Sequence, residues 1–347
     1  MMIKCLIPMG MAALSFLMSF GKQERSMSLA MAAIIGLLLF FTLVSGIMLL
    51  KKLALAKEIA DRTVAWWWMA AIFLLALATD RIASFCFLSL MCFFALREYF
   101  HLFANIPAGK KEIGKNAATM WLCYAAIPLT AYLAYTKWYG LYIILVPVYL
   151  FLFIPIIFVV QDRTDGAIKA LGVVSLGIMF FVFNLGHSLF MINLGPMILL
   201  YCFAFTEARD LIAYWVGKSI NTLCGVSPAN PLARIFDIKI APAINPRKTW
   251  GAGIVTAIIV AFSSMAFLPL MPEMPKGRMS PFFMFALGFS IGILGLMGDL
   301  VFSMIKRDIG VKDSGNVLPG HGGVIDRVNS LVFTIPVTFH LINWIYV

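Results

Sequence analysis

Long apolar runs, one after another, are the feature that most restricts what this chain becomes. Residues 27–50 and 139–160 contain no charged side chain, and further runs occupy 5–20, 64–79, 82–96, 117–135, 169–186, 188–206, 250–270, 281–304 and 328–347. A helix crosses the hydrocarbon of a bilayer with about 20 such residues. The expected fold is therefore all-α: a polytopic integral membrane helix bundle with about 9–11 transmembrane helices. Composition agrees, with 62% hydrophobic and 12% charged residues and a mean hydropathy of +0.95. A soluble domain carries about 25% charged residues. A disordered chain has far less apolar surface than this one.

Two places need a decision. The first run follows Lys4, but no small-x-small cleavage site precedes the polar stretch Gly21–Arg25, so it is expected to stay as a helix. Asp80 and Arg81 interrupt the apolar stretch 64–96. As one helix that stretch would run about 50 Å, too long for a core of about 30 Å. As two it makes a tight hairpin. With eleven spans and the N-terminus inside, 21 of the 27 Lys and Arg residues fall on the inner side and 6 outside. That split follows the positive-inside rule, which merging the two spans would break.

The net charge of +11 is spread over many short loops, so it reads as topology rather than as a nucleic-acid surface. Of the six cysteines four lie inside apolar runs and none forms a CxxC, which points to small core hydrophobes rather than metal ligands or disulfides. Residues 1–116 are expected to form a variable set of N-terminal transmembrane helices. Residues 117–347 form the region that carries the chemistry, with a cytoplasmic site around 208–250 and 299–330.

The densest chemistry lies near the C-terminus. On a helix, Asp299, Ser303 and Lys306 fall on one stripe. A carboxylate so close to the apolar zone is a functional candidate by default, with a structural Asp299–Lys306 pair as the plain alternative. Next come Lys312-Asp313-Ser314-Gly315, then Pro319-Gly320-His321-Gly322-Gly323, then Asp326-Arg327. The glycines let backbone N–H groups approach an anion. Lys306, Arg307, Lys312 and Arg327 suit a polyphosphate. Asp299 and Asp326 suit Mg²⁺, which takes one or two protein carboxylates and completes its shell with water and phosphate oxygens. This inventory points to phosphoryl or nucleotidyl transfer, without the GxxxxGK[ST] pattern of a P-loop.

The full run is Ser303-x-x-Lys306-Arg307, then Lys312-Asp313-x-Gly315, then Leu318-Pro319-x-His321-Gly322-Gly323-Val324-x-Asp326-Arg327-Val328. It resembles the signature of the phosphatidate cytidylyltransferases, or CDP-diacylglycerol synthases. Asp210-x-x-Ala213-Tyr214-x-x-Gly217 and Pro246-x-Lys248-Thr249-Trp250 are similar to two further family blocks, and Arg97-Glu98-Tyr99-Phe100 is a weaker match. The close resemblance covers roughly residues 200–330. Asn329 stands where the family motif ends in Asp. Asn245 replaces a Ser, and Gly251-Ala252 replaces Glu-Gly. The segment Asn221–Ala241 is longer than is usual for the family.

The resemblance implies transfer of CMP from CTP to phosphatidate, giving CDP-diacylglycerol and pyrophosphate. It implies Mg²⁺, alone or with a second cation, bound by Asp299 and Asp326. Lys306, Arg307, Lys312 and Arg327 would balance phosphate charge. Asp210, Lys248, Ser303, Asp313, His321, Gly322 and Gly323 would line the substrate site. The implied partners are CTP, phosphatidate, membrane lipid and a second copy in a homodimer, with no nucleic acid. The implied location is a bacterial cytoplasmic membrane with the site facing the cytoplasm. The alternatives are a CTP-dependent membrane enzyme with another lipid acceptor, an inactive lipid-binding relative, and a transporter. Trp250 suits an interfacial anchor or a nucleobase platform. His101, His187 and His340 lie apart from the constellation and are expected to be structural.

Overall fold

The structure is a computed structural model that describes the chain apart from residues 1, 22–24, 53–55, 105–116, 163, 225–235, 237 and 316–321. In chain order the helices are α1 (Met2–Gly21), α2 (Arg25–Leu50), α3 (Ala56–Thr79), α4 (Arg81–Ala104) and α5 (Ala117–Tyr135). Then come α6 (Tyr139–Val160) and α7 (Ala167–Met191), and α8 (Pro196–Cys224), α9 (Trp250–Ala266), α10 (Pro281–Asp308), α11 (Ile325–Val328) and α12 (Leu331–Tyr346). Among the described residues there is no sheet, only two isolated bridges. Eight helical stretches are long and apolar enough to cross a membrane, α11 and α12 counting as one, and α9 is a shorter apolar helix. With α5, which carries no charge, and the apolar first half of α8, the expected eleven passes are present. The chain is an all-α, polytopic integral membrane protein.

The stretch 64–96 is a hairpin, as the charge distribution requires. Phe73 and Phe87 stack their rings 5.8 Å apart, whereas residues fourteen apart on one straight helix lie about 21 Å apart. The break has a local cause. Asp80 Oδ1 accepts the backbone N–H of Ala83 at 2.6 Å, so the residue that interrupts the apolar run also caps α4.

One pair of boundaries differs from expectation. Hydropathy placed a break between 186 and 188, but α7 continues through His187–Met191. The turn falls at 192–195, where Gly195 takes a φ of 131° and Pro196 opens α8, a position in which its missing N–H is no loss. Apolar content is continuous across Gly186, so hydropathy alone could not see that the helix runs on. The true turn is tied down by side chains: Asn193 donates to the Ala134 carbonyl at 2.8 Å and accepts from Arg81 at 2.7 Å. Beyond 206, α8 continues as a polar helix to Cys224.

Helices α9 and α10 pack most intimately. A side chain at Gly292 would collide with the Ala257 backbone, and one at Gly288 with that of Ala261. Small residues of this kind let helix backbones approach in lipid, where dispersion rather than water expulsion drives association. The resulting core fixes α10 as the central rod, with α8, α9 and α12 around it. A separate small core of Cys5, Ala12, Leu38, Trp67 and Ala71 joins α1 and α2 to α3.

Candidate active site at the polar end of the central helix

The last turns of α10 carry Asp299, Ser303 and Lys306 on one stripe, and the helix persists to Asp308. The anticipated Asp299–Lys306 pair does not form. Lys248 Nζ lies 2.8 Å from Asp299 Oδ2, and Lys306 Nζ lies 2.7 Å from Asp326 Oδ1. Each carboxylate is thus neutralised by a lysine from another segment, and Lys306 and Arg209 remain within electrostatic reach of Asp299.

Lys248 is placed by its backbone. Ile240 N–H donates to its carbonyl at 3.1 Å and Trp250 N–H donates to Ile238 at 2.9 Å, a two-rung ladder. Thr249 then caps α9 by accepting Ala252 N–H at 3.3 Å. Trp250 is partly exposed at the first turn of α9.

Asp326 organises the loop that precedes it. Its Oδ2 accepts from Ser314 N–H and Oγ–H at 2.9 Å each, and from Gly323 N–H at 3.1 Å. Gly322 holds a φ of 76°, and a Cβ there would strike Asp326 Oδ2. At Gly323 a Cβ would strike Glu98 Oε1 and Ser314 Oγ. Both positions demand glycine for want of space, and the first also for its left-handed backbone.

Glu98 is the residue the sequence undervalued. It sits on α4, more than 220 residues away in sequence. It accepts the N–H groups of Val324 at 2.7 Å and Ile325 at 3.1 Å. These are orphan donors at the start of α11, so the carboxylate caps the helix that presents Asp326 and Arg327. The only signal was its place in Arg97-Glu98-Tyr99-Phe100.

Two further charged groups come from α8. Arg209 is 1% exposed and forms an ion pair with Asp210, which is 47% exposed. Its side chain crosses Gly295 and approaches Ser330, so it is wedged between α8, α10 and the start of α12. Glu207 lies one turn before Asp210, in a recess crowded by neighbouring helices. That recess and the adjacent Asp210 push its carboxyl up to about 7, against the pull of Arg327. Asp210 is raised by its recessed position too, with Arg209 opposing and Asp299 adding to the rise.

The other anticipated residues are less converged. Arg307 is exposed and donates to the Val311 carbonyl of its own turn at 3.5 Å. Lys312 and Asp313 are exposed in the turn after α10, and Ser303 is half-buried. Arg327 faces Glu207 electrostatically. His321 lies outside the described residues. Asn329, in place of the motif's Asp, is buried; its Nδ2 points at Asp299 Oδ1 at 3.4 Å and its Oδ1 accepts Ser330 N–H at 2.7 Å. Gly251, in place of the motif's Glu, is also buried, and a Cβ there would fall 2.7 Å from the Phe236 Cα. The segment before Lys248 therefore occupies the space into which that glutamate would project.

The donor set fits Mg²⁺. Among the described residues no three His, Cys, Asp or Glu side chains gather into a closed cage, but Mg²⁺ needs only one or two carboxylates beside phosphate and water. Asp299 and Asp326 each hold an oxygen whose principal partner is a lysine amine, and a divalent cation can replace an amine there.

Residues 60–345 match the family described as Cytidylyltransferase family. The chain belongs to the cytidylyltransferase family. It is an integral membrane nucleotidyltransferase. The match begins inside α3, so α1 and α2 lie outside what this cytidylyltransferase shares with the family as a whole. The chain is similar to Uncharacterized protein YnbB of Escherichia coli K12, with 31% identity over 91% of this chain and 98% of that protein. It is also similar to the phosphatidate cytidylyltransferase of Synechocystis sp., 35% identical over 43% of this chain and 44% of that one. The phosphatidate cytidylyltransferase of Bacillus subtilis is 33% identical over 43% of this chain and 48% of its own. The similarity to the relatives bearing the phosphatidate cytidylyltransferase name thus spans about half their length.

Proposed function

We propose that this cytidylyltransferase moves CMP from CTP to phosphatidate, giving CDP-diacylglycerol and pyrophosphate. The observation that carries the reading is the pair of lysine–carboxylate contacts at one end of α10. Lys248–Asp299 and Lys306–Asp326 join three chain segments, each within a block that resembles the phosphatidate enzymes. Such an arrangement is charged, neutral overall, and ready to exchange its internal partners for phosphate and metal.

In the reaction an oxygen of the lipid phosphate monoester attacks the α-phosphorus of CTP. A new P–O bond forms there, the bond from the α-phosphorus to its bridging oxygen breaks, and pyrophosphate leaves. Both reactants are anions, so their repulsion must be offset before they meet. Lys248 and Lys306, released from their carboxylates, meet the phosphate oxygens. Arg307, Lys312 and Arg327 surround the polyphosphate. Asp299 and Asp326 would hold Mg²⁺, which when bound supplies neutralisation of the triphosphate and of the departing pyrophosphate. The loop held by Glu98 and Asp326 turns N–H groups and His321 toward a phosphate or the cytosine. The attacking monoester is already ionised at neutral pH, so no strong general base is required, and rate comes from positioning and electrostatics. The charge bias of the loops places this end of the bundle in the cytoplasm of a bacterial inner membrane, where soluble CTP reaches it.

A second acceptor lipid is favoured by one feature. Phe236 packs on Gly251, so this wall of the site differs from the motif that the phosphatidate enzymes carry. The deciding experiment incubates purified protein with CTP, Mg²⁺ and candidate lipids in mixed micelles. Pyrophosphate release with CDP-diacylglycerol as product is the expected result. Pyrophosphate formed only with other phospholipid or isoprenoid phosphates would move the assignment to that acceptor. No consumption of CTP by folded protein with any acceptor would overturn both.

A further inference from the structure

Two imidazoles and a phenol meet near the opposite end of the bundle. His187 on α7 is fully buried. Its Nδ1 lies 2.7 Å from the Phe183 carbonyl oxygen, which also accepts the Tyr142 hydroxyl. A ring nitrogen facing a carbonyl must carry the proton, so Nε2 keeps its lone pair free. That lone pair faces the hydroxyl of Tyr139, the first residue of α6, at 3.4 Å. From α12, His340 Nδ1 and Nε2 lie 3.4 and 3.2 Å from the same hydroxyl. The near-equal distances show that the ring turns its Cε1 edge inward, and a small rotation brings Nε2 to bear. The two imidazole centroids are 5.1 Å apart.

The backbone around this point is unusual as well. Helix α7 widens into a π turn over Met179–Asn184, which ends next to Phe183, and α6 has another over Leu145–Leu150. The two wide turns pack on each other. Such turns are rare and gather at functional sites. None of these groups takes part in nucleotidyl transfer. His340 is fourteen residues along the α11–α12 span from Asp326, about 21 Å of helix.

We propose that His187, His340 and Tyr139 form a binding site for a divalent first-row transition cation, with Zn²⁺ as its representative. Separations of 3.2–3.4 Å are long for hydrogen bonds between a hydroxyl and an imidazole. They match the edge of a tetrahedron whose ligands stand about 2.0–2.1 Å from a central ion, which is about 3.3–3.4 Å. A histidine whose Nδ1–H is fixed on a backbone carbonyl is the usual arrangement for ligation through Nε2. Imidazole donors select Zn²⁺, Cu²⁺ or Ni²⁺ over Mg²⁺, so the site is chemically separate from the Mg²⁺ position. Phe183 and Phe339 wall the His187 ring, at centroid distances of 4.9 and 5.6 Å, and keep it dry. Tyr139 and His340 are only half-buried, which leaves an entry path and a fourth position for water.

The test uses the full-length protein in detergent, stripped with chelator, loaded with Zn²⁺ and desalted, with bound metal measured by mass spectrometry. One equivalent is expected on the wild-type protein, with affinity at least tenfold weaker in His340→Asn and His187→Asn and an intermediate loss in Tyr139→Phe. Co²⁺ loading should give the intense visible bands of a tetrahedral centre, absent from His340→Asn. Turnover with Mg²⁺ should be unchanged in His340→Asn. Because His187 is buried and its variant is the one at risk of misfolding, His340→Asn and Tyr139→Phe carry the decision. Equal Zn²⁺ content in the wild type and both of those variants, or none in any of them, would overturn the site.

Discussion

Glu98 and Val324 stand 226 residues apart in sequence, yet the carboxylate of one accepts the backbone N–H of the other at 2.7 Å. With the second bond to Ile325 N–H, α4 holds the N-terminus of α11 and so fixes where Asp326 points. The proposed site is therefore built on a helix from the first third of the chain as well as on its signature.

Glu98→Gln tests that clamp. The amide keeps the size but offers one accepting oxygen and no charge to the helix terminus. A hydrogen bond to a charged group contributes about 1.5–3 kcal/mol. Turnover should fall on the order of tenfold or more, with Glu98→Ala worse. A melting curve in detergent separates lost positioning from lost fold. Full turnover in both variants would remove Glu98 from the site.

Asp299→Asn and Lys248→Met break the same ion pair from its two sides. If the pair were only structural, both should destabilise the protein alike and leave turnover in proportion to folded protein. In the proposed role, Asp299→Asn should lose turnover on the order of a hundredfold or more by weakening the metal and phosphate site. Lys248→Met should chiefly raise the KM for nucleotide or lipid phosphate. Steady-state kinetics across Mg²⁺ concentrations checks both.

Asn329→Asp would place a carboxylate beside Asp299 at a buried position. Two like charges so close destabilise one another unless a cation lies between them. The variant should reach half-maximal turnover at a several-fold lower Mg²⁺ concentration. It should melt at a lower temperature than the wild type in chelator, with much of the difference restored by Mg²⁺.

Glu207 gives a pH-dependent prediction. Its carboxyl is held up to about 7, from an ordinary value of 4.5, first by its recessed position and then by Asp210. The folded state thus binds the proton more tightly than the unfolded state. Its contribution is fully present below about pH 4.5 and is lost as pH rises through about 7. Glu207→Gln should match the wild type in melting temperature near pH 4.5 and exceed it at pH 8. Parallel curves over that range would show that the carboxyl is not raised.

Gly251→Glu probes the altered wall. A side chain there meets Phe236, so the single variant should be destabilised, while Gly251→Glu with Phe236→Ala should regain stability. A changed ratio of turnover between phosphatidate and other lipid phosphates in the double variant would tie this wall to acceptor choice.

Much of this was legible in the chain itself. Apolar runs determine helical spans because lipid leaves few other ways to bury a backbone, and Asp80 marked the hairpin because a charge can neither lie in hydrocarbon cheaply nor be missed in a hydropathy pattern. Asp299, Lys306 and Asp326 stood out because polar residues are scarce there. What pairs with what was decided only by the tertiary structure. The helical stripe suggested Asp299 with Lys306, but packing of α9 on α10 delivers Lys248 to the first and the glycine loop delivers Asp326 to the second. Glu98 looked like one more charge after a span, and His187 and His340 like isolated core histidines. Local patterns report which face a residue occupies. Only the crossing of helices far apart in sequence brings a carboxylate to an orphan helix terminus, or two imidazoles to one phenol.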